Sequence, residues 1–148
     1  MTRLLFVEDN KHKRERVVAF LAEVAPQIVL IEAQSFTTGG RAAEQGQFDF
    51  ILMDMSLPTR DKTRTESGGT FRTFGGRELA RKILRRGIRT KFIFLTQYDA
   101  FSDSESSHTL DSLREELRTE CGNSFLALVR YDSSKTAWKE EIERLLRT

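Results

Sequence analysis

The sequence predicts an α/β fold in which helices cover both faces of a five-stranded, doubly wound parallel sheet. Five apolar runs of four to six residues occur along the chain, and none alternates cleanly with polar residues. Continuous runs of this kind are typical of strands that are buried on both faces. Segments with helical spacing separate the runs, and this alternation favours parallel strands joined by helices. The predicted strands are residues 4–7, 28–31, 48–53, 92–95 and 125–129.

The helical segments differ in how clearly they show one apolar face. The first places four apolar side chains, from Val17 to Val24, at the i, i+3, i+4 and i+7 positions of a helix. The second segment is shorter and weaker. The last has Ser133 or Ser134 as its candidate N-cap, because a serine side chain accepts a hydrogen bond from the first helical turn. The predicted helices are residues 13–25, 36–45, 76–86, 109–121 and 134–146.

The connection after the third strand does not fit this regular alternation. Residues 59–76, TRDKTRTESGGTFRTFGG, are polar and nearly free of aliphatic side chains. A strand-to-helix connection usually takes two to six residues, and much longer loops tend to be functional or disordered. We therefore expect a single domain over residues 1–148, with an extended loop between the third strand and the third helix at about 59–76.

Composition argues against a disulfide-bonded, a membrane-spanning or a nucleic-acid-binding protein. Cys121 is the only cysteine, so no internal disulfide forms, as is usual in a reducing cytoplasm. No apolar run approaches the length of a membrane span, and the first residues do not form a secretory signal. The net charge of +2 is too small to indicate nucleic-acid binding. Five basic residues near the amino end are expected to form a solvated helix face: Lys11, His12, Lys13, Arg14 and Arg16.

Acidic side chains follow two of the predicted strands. Glu8 and Asp9 come directly after the first strand, and Asp54 comes after the third. Sites in open α/β sheets form at the carboxyl ends of strands, so neighbouring first and third strands would bring these carboxylates together. Three close negative charges need a counter-charge. A hard cation such as Mg²⁺, which accepts carboxylates and keeps waters, would supply it.

Two further polar residues end the last two strands. Thr96 closes KFIFLT and Arg130 closes FLALVR. A hydroxyl and a cation that face acids and a metal suit a phosphoryl group, with Asp54 as the nucleophile that forms an acyl phosphate. The alternative is that Asp54 merely caps a turn near Pro58.

Three of these strand ends resemble the receiver domain of bacterial two-component response regulators. RLLFVEDN resembles the family's first strand with its acidic pair, FDFILMDMSLP its phosphoacceptor strand, and KFIFLT the strand that ends on its switch hydroxyl. The resemblance covers nearly the whole chain. It implies a flavodoxin-like strand order, 2-1-3-4-5, as in the single-domain, chemotaxis-regulator-like members of the family.

The resemblance also implies roles for the acids. Asp54 would be phosphorylated with Mg²⁺ as the cofactor. Asp9 would bind the metal directly, and Glu8 would bind it directly or through water. The backbone carbonyl of Met55 would complete the protein ligands.

The sequence departs from the family pattern at several positions. Thr96 matches the switch hydroxyl, but Gln97 replaces the small residue that usually follows it. Tyr98 could take part in a rearrangement after the fourth strand. The family carries a lysine at the end of the fifth strand, and here Arg130 is the nearest match. Lys135 is a poorer substitute, because it lies in or before the last helix.

The resemblance implies a stand-alone receiver that takes its phosphoryl group from a histidine kinase or phosphotransfer protein and signals through an output protein. It would be no enzyme beyond its own phosphorylation and dephosphorylation. A homodimer could form through the fourth helix, fifth strand and fifth helix, the α4-β5-α5 face. One alternative is a pseudo-receiver that acts as a phosphorylation-independent binding or assembly module. A metal-dependent phosphatase is a weaker alternative, since such enzymes commonly have a second acid where Ser56 stands.

Overall fold

A single five-stranded parallel sheet forms the centre of the computed structural model, which describes residues 1–63, 65, 68–97, 100–102 and 107–147. Its strands are β1 (Arg3–Val7), β2 (Val29–Ala33), β3 (Phe50–Met53), β4 (Lys91–Thr96) and β5 (Phe125–Arg130). The helices are α1 (Lys11–Val24), α2 (Phe36–Gln45), α3 (Gly75–Arg85), α4 (Leu110–Cys121) and α5 (Ala137–Leu146).

The strand order is β2-β1-β3-β4-β5, which confirms the doubly wound, flavodoxin-like fold. The order reverses between β1 and β3, the two strands that carry the acids. Val7 of β1 pairs with Met53 of β3. The residues that follow, Glu8 and Asp54, therefore leave the sheet side by side at a switch point, where sites form in this class of fold.

Two apolar layers cover the two faces of the sheet. Leu5 and Val7 of β1 point to the layer formed with α2, α3 and α4, while Leu4 and Phe6 point to the layer formed with α1 and α5. All four side chains are fully buried. Burying such a side chain contributes about 1.5–3 kcal/mol. Burial on both faces explains why the strands appear in the sequence as continuous apolar runs.

Helix α1 begins immediately after the acidic pair because Asn10 caps it. The Asn10 side chain accepts a hydrogen bond from the Lys13 amide at 3.0 Å. The prediction of a serine cap for α5 is wrong. Asp132 accepts hydrogen bonds from the amide and hydroxyl of Ser134, which forms a turn, and the helix begins only at Ala137.

The segment after β3 folds back on itself and is attached to α2. Leu57–Pro58 and Phe71–Arg72 form a short antiparallel ribbon. The Thr37 hydroxyl donates to the carbonyl of Thr59 at 2.6 Å, and the Thr38 hydroxyl donates to Asp61 at 2.8 Å. These contacts hold the segment beside the carboxyl end of the sheet, next to the acids.

Gly76 allows α3 to begin against the backbone that follows β3. Its amide donates to the Met55 carbonyl at 2.7 Å, and a Cβ at this position would lie 2.2 Å from the Asp54 carbonyl oxygen. Only glycine permits this approach without a backbone shift.

Residues Ala100–Ser102 and Ser107–Thr109 form a second ribbon before α4. Within the part of the chain that the structure describes, no helix combines the length and the apolar composition needed to cross a bilayer.

Candidate functional site

A buried ammonium group joins two of the predicted acids. The Nζ of Lys13 lies 2.8 Å from Glu8 Oε1 and 3.1 Å from Asp54 Oδ2. Glu8 is fully buried, and Asp54 and Lys13 are only 6% and 2% exposed. The structure thus brings Glu8 and Asp54 together, as the sequence predicts, but around a lysine of α1.

Lys13 contacts three groups at the carboxyl end of the sheet. Besides its ion pairs with the two carboxylates, its Nζ donates a hydrogen bond to the Leu95 carbonyl of β4 at 2.6 Å. The three groups come from three different strands or strand ends. The sequence prediction that Lys13 belongs to a solvated helix face is wrong. Lys13 precedes Val17 by four residues and Phe20 by seven, which places it on the buried face of α1, and this spacing was the signal that the prediction missed.

Burial and the neighbouring charges shift the pKa values of Glu8 and Lys13. Burial is the largest influence on Glu8 and raises its pKa to about 7, although Lys13 opposes the shift. Burial would lower the pKa of Lys13, but the negative charges of Asp54 and Glu8 outweigh it and raise the pKa above its ordinary value. Lys13 therefore remains a cation in this pocket.

The two oxygens of the Asp54 carboxylate have different partners. Oδ1 accepts a hydrogen bond from the Met55 amide at 2.6 Å, and Oδ2 faces Lys13. The side chain is thus held in one orientation at the end of β3. A carboxylate with a fixed orientation beside a cation is suited to act as a nucleophile toward an electrophilic phosphorus.

A small cavity of about 90 Å³ opens beside Asp54. A water molecule takes up roughly 30 Å³ in the liquid, so this space suits one small cation with a few waters. The structure describes no cluster of three or more His, Cys, Asp or Glu side chains arranged for a metal. Mg²⁺ does not require one, because it takes one or two carboxylates and keeps its waters. The lining residues are Glu8, Asp9, Asn10, Lys13, Asp54, Ser56, Phe71 and Gln97.

The predicted metal ligands differ in how they are placed. Asp9 and Asp54 both line the cavity and fit a magnesium ion. Glu8 lines it as well, but its carboxylate is paired with Lys13. Met55 does not line the cavity. Its carbonyl accepts the Gly76 amide, and the next residue, Ser56, lies at the cavity instead.

The ends of β4 and β5 lie next to each other. Thr96 is fully buried, and its carbonyl accepts the Tyr131 amide at 2.6 Å. Arg130 pairs with Thr96 in the sheet but is exposed, as is Lys135. Gln97 lies at the mouth of the cavity, whereas Tyr98 lies outside the described residues. The cation that contacts Asp54 thus comes from α1, where sequence reasoning expected one from β5.

Tyr131, the residue after Arg130, is buried behind the ammonium. Its ring centroid lies 5.5 Å from Lys13 Nζ and 5.0 Å from the ring centroid of Trp138 in α5. A cation near an aromatic ring is stabilised by the ring's quadrupole. The aromatic pair therefore connects the site to the fifth helix.

The solved structures that share this doubly wound sheet are response-regulator receiver domains. The uncharacterized protein y4jR of Sinorhizobium fredii is 30% identical over 142 residues, which cover 95% of this chain and 94% of y4jR. The Detocs response regulatory protein DtcB of Enterobacter cloacae is 28% identical, with 95% of each chain covered. The chain therefore has the fold of response-regulator receiver domains and is related to y4jR over nearly its whole length. No protein-family model matches it.

Solved structures show the same fold. The response regulator TrrA of Thermotoga maritima, solved with magnesium and beryllium fluoride, superposes with a TM-score of 0.62 at 20% identity, covering 98% of this chain and 99% of TrrA. The receiver domain of the sensor histidine kinase PA1611 of Pseudomonas aeruginosa, solved with magnesium in its active-site cleft, gives 0.60 at 20% identity and covers 99% of this chain and 94% of that domain. At these identities the likeness establishes the fold alone.

Proposed function

We propose that this protein is a receiver that accepts a phosphoryl group on Asp54, with Mg²⁺ as its cofactor. The observation that carries the proposal is the cavity at the junction of β1 and β3, where Asp9 and the oriented carboxylate of Asp54 lie together. Its phosphoryl donor would be a histidine kinase or a phosphotransfer protein. It would act in the cytoplasm as part of a phosphorelay.

In the proposed step, a carboxylate oxygen of Asp54 attacks the phosphorus of the donor. A bond from that oxygen to phosphorus forms while the bond from phosphorus to the donor's leaving group breaks, and the product is an acyl phosphate. Bound Mg²⁺ would neutralise charge on the transferred group. Asp9 and Asp54 would hold the ion, and the buried Thr96 hydroxyl would donate to a phosphoryl oxygen. The Met55 amide holds the attacking carboxylate in place.

The proposed output is a change of shape for a partner protein. Phosphorylation shifts a pre-existing equilibrium only through contacts that differ between the two states. Thr96 pairs with β5, so a movement at its side chain would be passed to the α4-β5-α5 face, which could bind an output protein or a second copy of the chain. In this proposal the chain does not turn over a separate substrate.

A phosphorylation assay tests the proposal. The purified protein is incubated with Mg²⁺ and acetyl phosphate, and we expect one phosphoryl group on the peptide that contains Asp54, measured by mass spectrometry. Asp54→Asn should abolish the modification. Asp49→Asn is the matched control, because Asp49 precedes the same strand, is exposed and binds the Arg3 amide instead. An unmodified wild-type protein with an intact fold would contradict the proposal.

A second candidate function is a pseudo-receiver that binds partners without phosphorylation. The observation that favours it is Lys13, which partly neutralises Glu8 and Asp54 without any metal. The two proposals predict different binding results, because a pseudo-receiver would bind neither Mg²⁺ nor beryllium fluoride at the site. Turnover of a simple phosphomonoester would instead indicate the phosphatase.

A further inference from the structure

An acyl phosphate at Asp54 would carry negative charge that a nearby cation stabilises, and among the described residues the cation in contact with Asp54 comes from α1. Arg130, at the end of β5, is exposed. The next residue along the chain, Tyr131, is 4% exposed, and its side chain is a phenol rather than an ammonium or guanidinium. The position of the ammonium has thus moved to another element of the fold.

We propose that Lys13 of α1 is the catalytic cation that binds the phosphoryl group on Asp54, in place of a residue from β5. The inference rests on the proposed function of Asp54. Its first support is distance, because Lys13 Nζ lies 3.1 Å from Asp54 Oδ2, an oxygen of the reacting carboxylate. An ammonium this close to the nucleophile lies within hydrogen-bond range of oxygens on a phosphorus attached there.

The second support is how firmly the ammonium is held. The ammonium pairs with Glu8 at 2.8 Å and donates a hydrogen bond to the Leu95 carbonyl at 2.6 Å. The side of the ammonium that faces Asp54 is the one that would turn to a phosphoryl oxygen when the acyl phosphate forms. Two contacts are kept during this exchange, so the cation is pre-organised and little reorganisation is needed.

The third support is the charge of the pocket. Glu8 and Asp54 place two carboxyl groups in a buried site, and Lys13 supplies the positive charge that contacts both. A phosphoryl group adds further negative charge as it arrives. Lys13 would stabilise that charge electrostatically and would transfer no proton, since the carboxylate attacks in its ionised form.

Because the cation comes from α1, a movement of Lys13 would be felt by the aromatic side chains packed behind it. The ammonium lies 5.5 Å from the ring centroid of Tyr131, and that ring lies 5.0 Å from Trp138. Trp138 is the only tryptophan in the sequence. A shift of Lys13 toward a phosphoryl group would change the surroundings of Tyr131 and be visible in the fluorescence of Trp138.

The test compares Lys13→Gln with Lys13→Arg, Arg130→Gln and Lys11→Gln. Lys11 is the matched control, because it lies on the same helix with an 80% exposed side chain. We expect Lys13→Gln to slow Asp54 phosphorylation by acetyl phosphate about 100-fold or more, the typical cost of removing one donor to a developing charge. Lys13→Arg should recover part of the rate, and Lys11→Gln should match the wild type.

A second measurement separates catalysis from a structural role. Mg²⁺ binding is measured by calorimetry, and beryllium fluoride is then added while Trp138 emission is recorded. Lys13→Gln should bind Mg²⁺ at least as tightly as the wild type, because a competing positive charge has gone, yet should lose the beryllium fluoride response. A purely structural lysine would weaken both responses together or neither.

The outcomes separate the two proposals. If the wild type is phosphorylated and Lys13→Gln is equally fast, or if only Arg130→Gln is slow, the role of Lys13 is overturned and the function of Asp54 stands. If the wild type is not phosphorylated, both are overturned. If Lys13→Gln fails to fold, the double variant Glu8→Gln/Lys13→Gln is used, because it removes the acidic and the basic partner of one buried pair together. Slow phosphorylation of the folded double variant supports the proposal, and phosphorylation at the wild-type rate overturns it.

Discussion

The two sides of the candidate site carry the same kinds of charge in different surroundings. On the α1 side, Lys13 is 2% exposed and contacts Glu8 at 2.8 Å. On the side of the segment after β3, Lys62 has a 59% exposed side chain and lies 3.6 Å from Asp9. Water screens the second pair, whereas the first pair interacts at low effective dielectric. Burial, rather than the type of residue, thus makes one lysine part of the site and leaves the other at its edge.

Removing each lysine should show the largest difference between the two sides. Lys13→Met leaves two buried carboxylates without their cation, and we expect it to lower the free energy of unfolding by about 3–5 kcal/mol. Lys62→Met should change it by no more than about 0.5 kcal/mol. Urea denaturation followed by circular dichroism measures both. Equal effects of the two substitutions would mean that burial does not distinguish these pairs.

Metal binding should depend on the exposed side of the site. Asp9→Asn removes a carboxylate that lines the cavity, and we expect it to weaken Mg²⁺ binding by about 10-fold or more. Lys62→Ala removes a screened positive charge next to Asp9, so it should strengthen binding by only about 2- to 3-fold, less at high salt. Titration calorimetry at two salt concentrations checks both. Weaker binding in Lys62→Ala would show that Lys62 supports Asp9 and does not compete with the ion.

A third charge cluster, between α3 and α4, should give the smallest effect. Partial burial would raise the pKa of Glu120, but hydrogen bonds from Arg77 and Arg81 outweigh it and lower the pKa to about 2. A lowered pKa in the folded state stabilises the protein above the unfolded-state pKa. This contribution is lost as the pH falls from about 4.5 toward 2.

Glu120→Gln should therefore lose less stability than the wild type over that acid range, and the difference should stay below about 1 kcal/mol because the pair is partly exposed. Thermal unfolding at several pH values measures it. Glu44→Gln is the control, because Glu44 pairs with Arg86 at the surface at 3.5 Å. The same pH dependence in both variants would contradict the assignment to Glu120.

Local patterns were enough to predict most elements of the fold. The helix predicted at residues 36–45 is α2, Phe36–Gln45, and the strand predicted at 92–95 lies within β4. The same patterns placed Glu8 and Asp54 directly after apolar runs, whereas the pairing of β1 with β3 that brings them together was implied by the resemblance to receiver domains. The cap of α5 was missed because Asp132 competes for Ser134, a contact that N-cap preferences do not describe.

The sequence by itself determined the α/β class and the positions of the strand ends, because these depend on periodicity along the chain. The approach of the two acids follows from the pairing of β1 with β3, which the resemblance to receiver domains implied and the strand order of the sheet decides. Only the tertiary structure decided which cation meets those acids. The local sequence around Lys13 and around Arg130 does not show which of the two cations reaches Asp54. That depends on how α1 packs across β1, β3 and β4. That packing joins Lys13 to Asp54 and to Leu95, which are far from it along the chain, and no local pattern contains these contacts.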